Sequence, residues 1–314
     1  MSKYKVKNNI FLILAEGIKI YFSNIDKFFL YMLFPVFGQI IGIILSFALP
    51  LGLADKVIAK SHSLSTALLM VLLLAMPGLL IFVKAFWDYM VAYVALNSMA
   101  EGAVSTGKVY DFQSHNEVAT RRTFQYVLLL LAVGVLSSVA SSIFFIIPGA
   151  VLWIYFILVF QVFTFEPELS VPDCFKRSLL LVRGKWLSTF FIMAVLVFFT
   201  IFIITEGVTV VFDYLNLTDK IAMLFNFVTN KIPLDLCNQM LTYWHLPIVT
   251  PDMISKTIFY CILSFIVMGL TLPIRSICWT LWYKDLCFAD IQSRNKLNKP
   301  ARKQRRSKSF DEDE

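Results

Sequence analysis

Long apolar runs alternate with short polar segments along this chain, and the run lengths decide its class. A helix rising 1.5 Å per residue needs about 20 apolar residues to cross about 30 Å of hydrocarbon. Six stretches answer to that: 28–49, 64–84 with apolar character extending to 97, 124–147, 150–165, 186–204 and 258–281. The second persists through Pro77, Gly78, Lys84 and Asp88 to Leu96, about 50 Å if wholly helical, so it is expected to tilt, kink or leave the bilayer. Pro148-Gly149 leaves room only for a tight turn, which folds the third and fourth runs into an antiparallel hairpin.

The polar segments carry a second pattern. Three of them, 9–23, 111–123 and 171–185, each precede an odd-numbered span and read as amphipathic helices, so that an interfacial helix plus two spans recurs three times. In the third, Ser170-Val171-Pro172-Asp173 suggests a capping box with Ser170 accepting from the Asp173 amide, and Phe175, Leu179 and Val182 share one face. The expected fold is therefore all-α: a polytopic membrane protein of six transmembrane helices with three cytoplasmic interfacial amphipathic helices, one membrane domain over 1–290. The segment 205–257 is expected as an external loop region, with Ile221, Leu224, Phe225 and Val228 at the spacing of a surface helix. The tail 291–314, a basic cluster followed by Asp311 to Glu314, is expected to be a disordered cytoplasmic tail.

Composition agrees: 58% hydrophobic and 16% charged residues, against about a quarter charged in soluble domains, with a mean hydropathy of +0.73. The six apolar residues of 10–15 are too short for a secretory signal core, so no cleaved signal is expected. Charge sets orientation. Lys and Arg number five up to Lys27, four in 84–123, four in 166–185 and nine in 284–314, whereas 50–63 and 205–257 together hold five, beside six acidic residues. Positively charged loops resist translocation, so both termini are expected in the cytoplasm, and the net charge of +7 is an orientation signal rather than a nucleic-acid footprint. The five cysteines and three histidines show no metal-type spacing, and Asn216-Leu217-Thr218 is a glycosylation sequon only in a eukaryotic secretory setting.

One series of motifs is more specific. IIPGAVLWIYFILVF, FEPEL and CFKRSLLLVRGKW, followed by a last helix with Pro273, Leu281, Tyr283 and Asp285, resemble the integral-membrane domain N-terminal to the catalytic domain of bacterial glycerophosphodiester phosphodiesterases, and its stand-alone membrane relatives of unknown function. Pro148, Gly149, Glu166, Ser178, Leu181, Gly184 and Trp186 carry the first part of the likeness, over about 140 residues in all. Cys174 stands where the pattern has alanine, and Asp285-Leu286 is not followed by arginine. The resemblance implies a fold and a membrane compartment. It brings no activity, since the family's catalytic residues have no counterpart positions in these 314 residues.

Candidate sites follow from polar residues in apolar settings. Lys84 and Asp88, four apart, form a candidate intramembrane polar pair, or an anchor if they lie at the cytoplasmic rim; Arg275, after Pro273, either snorkels or lines a path. Gly38 and Gly42, with Gly134, Ser138 and Ser142, have the small-residue spacing of helix packing. Gln39 and Gln161 suit hydrogen bonds across helices, and His245 reads as structural or exposed. Lys176, Arg177, Arg183 and Lys185 are candidate lipid-headgroup contacts. With no Walker loop, GxSxG or HExxH motif, no catalytic residue, cofactor or metal is expected; the partners are membrane lipids, anionic headgroups on the cytoplasmic side, and an unidentified membrane protein, not nucleic acid. The reading is a non-enzymatic bacterial inner-membrane protein organising lipids or membrane complexes. The alternative is a small transporter with a polar path near Lys84, Asp88 and Arg275.

Overall fold

The structure, a computed structural model, describes residues 9–308 apart from 62, 110, 141–145, 231 and 233, and every regular element among these is helical. In chain order the α-helices are α1 (Ile10–Ser23), α2 (Ile25–Gly52), α3 (Ala54–Lys60), α4 (Leu64–Thr106), α5 (Phe112–Thr120), α6 (Thr123–Ala140), α7 (Ile146–Phe156) and α8 (Val159–Phe165). There follow α9 (Val171–Val182), α10 (Trp186–Val197), α11 (Ile204–Tyr214), α12 (Leu217–Ala222), α13 (Asn226–Thr229), α14 (Asp235–Tyr243), α15 (Pro251–Leu270) and α16 (Leu272–Lys308). Among the described residues six stretches are long and apolar enough to cross a membrane: Ile25–Gly52, Leu64–Thr106, Thr123–Ala140, Pro148–Phe165, Trp186–Tyr214 and Pro251–Gln292. These make it a multi-pass membrane protein by the length and apolarity of its helices.

Several boundaries differ from expectation for physical reasons. The second span passes Pro77 without a break and forms one helix of 43 residues. A span tolerates one missing backbone donor where a neighbouring helix packs, and Gly78 lies against Ser46 and Gly42 of α2. The fifth does not stop near 204: a turn of π-helix, Phe198–Ile203, joins α10 to α11, and Glu206 is accommodated because it is exposed. The region 205–257 is accordingly largely helical rather than loop. Its expected surface helix is broken at Met223–Phe225 by a 3₁₀ turn, which buries Ile221 and Phe225 in part while Leu224 stays exposed. The sixth begins at Pro251, where Thr250 Oγ1 accepts from the Met253 amide at 3.3 Å, and it breaks at Thr271. Beyond the break α16 continues to Lys308 through the segment expected to be disordered; 309–314 and Ser142 lie outside the described residues.

The three segments expected as interfacial helices are α1, α5 and α9. In α9 the capping differs from expectation: Ser170 donates its hydroxyl to Asp173 Oδ2 instead of accepting from a backbone amide. The ionised carboxylate is the stronger acceptor, and these bonds from Ser170 and then Lys176 hold the Asp173 pKa below the usual range. The buried face of α9 is Cys174, Ser178, Leu181 and Val182, one residue round from the expected Phe175 and Leu179.

The chain forms two compact units. The first comprises Met1–Ile25, Tyr93–Leu196 and Pro273–Glu314; the second comprises Asp26–Ala92 and Val197–Leu272. In the first, α1 buries Ile13, Gly17 and Tyr21, and any Cβ at Gly17 would collide with Cys278 Sγ. Arg122, 4.3 Å over the Phe163 ring, donates to the Leu169 carbonyl at 2.8 Å. In the second, Ala222, Phe259, Leu263 and Val267 form a core with Ile204, Val208 and Phe212 packed against it, and Tyr89 stacks on Phe265.

Candidate functional site: a polar seam on the last helix

The first unit contains a row of polar side chains along the last helix, beginning in its apolar part. Ser276, Thr280, Tyr283, Cys287 and Asp290 recur at spacings of four, three, four and three along α16, which keeps them on one face. Ser276, Thr280 and Tyr283 are buried, and Cys287 and Asp290 are half-buried.

At its upper end the seam meets the Asn97 carboxamide on α4, itself 1% exposed. Asn97 Oδ1 accepts from Ser276 Oγ at 2.6 Å and from Gln161 Nε2 of α8 at 3.2 Å, while Asn97 Nδ2 reaches Thr164 Oγ1 at 3.4 Å. Three helices are thereby tied at one level. Amides suit this task because each both donates and accepts. Gln161 Oε1 and Thr280 Oγ1 are buried without a hydrogen-bond partner among the described residues.

At its lower end the seam becomes ionic. Tyr283 donates to Glu166 Oε1 at 2.8 Å, and the same oxygen accepts from Arg177 Nε at 3.0 Å. Arg177 Nη1 in turn donates to Asp290 Oδ2 at 3.1 Å, so one guanidinium joins α9 to α16 and to the end of α8. Burial opposes the charge on Arg177, but the hydrogen bonds of Glu166 and Asp290 and the charge of Glu166 hold its pKa above the ordinary arginine value. Nearby, Lys284 pairs with Glu101 Oε2 of α4 at 2.6 Å, Trp282 Nε1 donates to Thr189 Oγ1 at 3.1 Å, and Ser178 Oγ donates to the Tyr155 carbonyl at 2.8 Å. His115 Nδ1 lies 2.9 Å from Ser98 Oγ; burial lowers its pKa, opposed by the Asp111 charge.

The candidates named from sequence are dispersed. Lys84 pairs with Asp88 along one turn of α4 in the second unit, with Lys84 63% exposed, whereas Arg275 is half-buried on α16 in the first. Of the basic residues of 171–185, Arg177 is held by two carboxylates and Lys176 lies 3.4 Å from Asp173, while Arg183 and Lys185 are exposed. Gly38 and Gly42 face Ala85, Phe82 and Gly78, where an added Cβ would fall 2.8 Å from Ala85 Cβ and 2.6 Å from the Phe82 nitrogen. Gly134 has open space and, with Ser138, is exposed; Ser138 Oγ bonds the Gly134 carbonyl at 2.9 Å. Gln39 is buried and donates to the Pro35 carbonyl at 2.7 Å, inside its own helix rather than across helices. His245 sits with positive φ (55°) at the end of α14.

Asn97, Thr280 and Asp290 were not singled out from sequence. For the two on α16 the signal was the polar spacing 276, 280, 283, 287, 290, which spans the end of the last apolar run and its polar continuation and is visible only when both are read as one helix; Asn97, on α4, belongs to no such row. A scan against protein-family models finds no match, and comparisons with curated proteins and with solved structures find none either.

Proposed function

We propose that this is a non-enzymatic protein of a bacterial inner membrane, with both termini in the cytoplasm, which organises lipids or membrane complexes. The observation that carries the reading is the ionic end of the seam, where Glu166 Oε1 is engaged by both Tyr283 and Arg177, and Arg177 also by Asp290. Groups committed to one another in this way hold helices in register. The charge asymmetry supports the orientation, and the resemblance to the membrane domain of bacterial glycerophosphodiester phosphodiesterases supports the compartment.

A second reading, a small transporter, draws on the ion pair Lys84–Asp88 within an apolar helix. Length argues for an anchor instead. Lys84 lies 20 residues beyond Leu64, about 30 Å along the helix, which is one hydrocarbon thickness. Labelling Asp88→Cys in intact cells and inverted vesicles, in a background lacking the native cysteines, separates the two. Ready labelling from the cytoplasmic side supports the anchor, and complete protection from both sides favours the transport path.

A further inference from the structure

We propose that the end of α16, residues 293–308, is an arm that binds the anionic headgroups of the membrane in which the protein sits. Three observations meet here. The helix does not end with its span: it continues to Lys308, about 27 Å beyond Asp290 if straight. Its root is fixed, because Tyr283, Lys284 and Asp290 are tied to Glu166, Glu101 and Arg177. The arm itself carries eight Lys and Arg, and no acidic residue occurs between Asp290 and Asp311.

The same structure weakens the other basic candidate. On α9, Arg177 is neutralised by two carboxylates and Lys176 is beside Asp173, which leaves Arg183 and Lys185 for lipid. Each basic residue near an anionic leaflet adds roughly five-fold to its attraction, so eight against two decides for the arm. Lipid is the occupant within reach once the arm bends towards the leaflet, which Pro300 favours, since the arm is continuous with a membrane-spanning helix and the attraction acts over a Debye length of about 10 Å. Nucleic acid and the acidic residues Asp311 to Glu314 are the competing occupants.

This inference rests on the reading of the six helices as membrane spans. It is tested on the full chain in nanodiscs of phosphatidylcholine alone and of phosphatidylcholine with phosphatidylglycerol, by hydrogen exchange of 293–308. Exchange is expected to slow at least about tenfold in the anionic discs, and to recover near 1 M salt, where screening shortens to about 3 Å. Replacing Arg302, Lys303, Arg305 and Arg306 by Gln is expected to abolish the slowing. Equal exchange in both discs overturns the proposal, as does slowing in neutral discs that deletion of 311–314 abolishes, or that appears only when RNA is added. Exchange within 253–268 reports separately on the spans: if it is fast in both discs, the membrane reading fails, whatever the arm does.

Discussion

Helices are held together by two means, each clearest in a different unit, although close approaches also occur in the first, where Gly17 meets Cys278, and buried hydrogen bonds in the second, where Ser255 joins Thr229 to Asn226. In the second, backbones approach one another: Gly42 and Gly78 bring α2 and α4 so near that neither has room for a methyl group, and Gly269 abuts Val36. In the first, side chains span the gaps: Asn97, Gln161 and Ser276 at one level of the seam, Glu166, Arg177, Tyr283 and Asp290 at another. Lipid tails are as apolar as leucine, so hydrophobicity cannot drive helices together inside a bilayer, and these are the two remedies left. Close packing is short-ranged and intolerant of volume. Hydrogen bonding tolerates distance but requires every partner.

The comparison breaks most readily at Gly42. Gly42→Ala sets a Cβ against the Phe82 backbone and the Gly78 carbonyl, neither of which can swing aside as a side-chain tip does. A loss of at least about 2 kcal/mol is expected, seen as a lowered unfolding midpoint in detergent, with the second unit exchanging first. Gly134→Ala is the control. It adds the same methyl group in open space and gains up to about 1 kcal/mol of helix propensity. Equal destabilisation by both variants would dissolve the distinction between a packed glycine and an exposed one.

Arg177 probes the other unit. Arg177→Met keeps the length of the stem but leaves Glu166 and Asp290 without their cation, and about 1–3 kcal/mol of stability should be lost, the lower end applying because the side chains are about a quarter exposed. Arg177→Met combined with Glu166→Gln and Asp290→Asn should recover part of that loss, because no stranded charge remains. A triple variant less stable than Arg177→Met by the sum of the added single losses would mean that the carboxylates act independently of the arginine.

These mechanisms were unequally legible in the sequence. The six apolar stretches follow from run length and bilayer thickness, two quantities that need no partner to evaluate. Gly38-Gln39-Ile40-Ile41-Gly42 could be recognised as a packing motif, but its partners Gly78 and Ala85 could not, because spacing within a helix says nothing about the neighbour. Gly134, Ser138 and Ser142 have the same spacing, yet Gly134 faces open space. Arg177 looked like a headgroup ligand because its carboxylates are distant in sequence, 11 and 113 residues away. The interruptions of α7, α10 and α15 were equally hidden, since each depends on which backbone carbonyl a turn reaches.

The smallest effect expected is a titration. Burial lowers the His115 pKa below its ordinary 6.5, so the folded state favours the neutral ring, which can accept from Ser98. An unfolded chain binds that proton more readily. Stability is therefore complete above about 6.5 and falls as the pH descends through the interval between that value and the lower folded-state pKa, after which this contribution is constant. Nearby Asp111 limits the depression and hence the effect. Because His115 and Ser98 both belong to the first unit, mild acid should accelerate hydrogen exchange there, around α5 and the end of α4, and leave Gly42 and Gly78 of the second unit untouched. His115→Gln, which keeps a polar group but does not titrate, should flatten the profile in this range. A uniform acceleration across both units, unchanged by that substitution, would mean that the acid response comes from elsewhere in the chain.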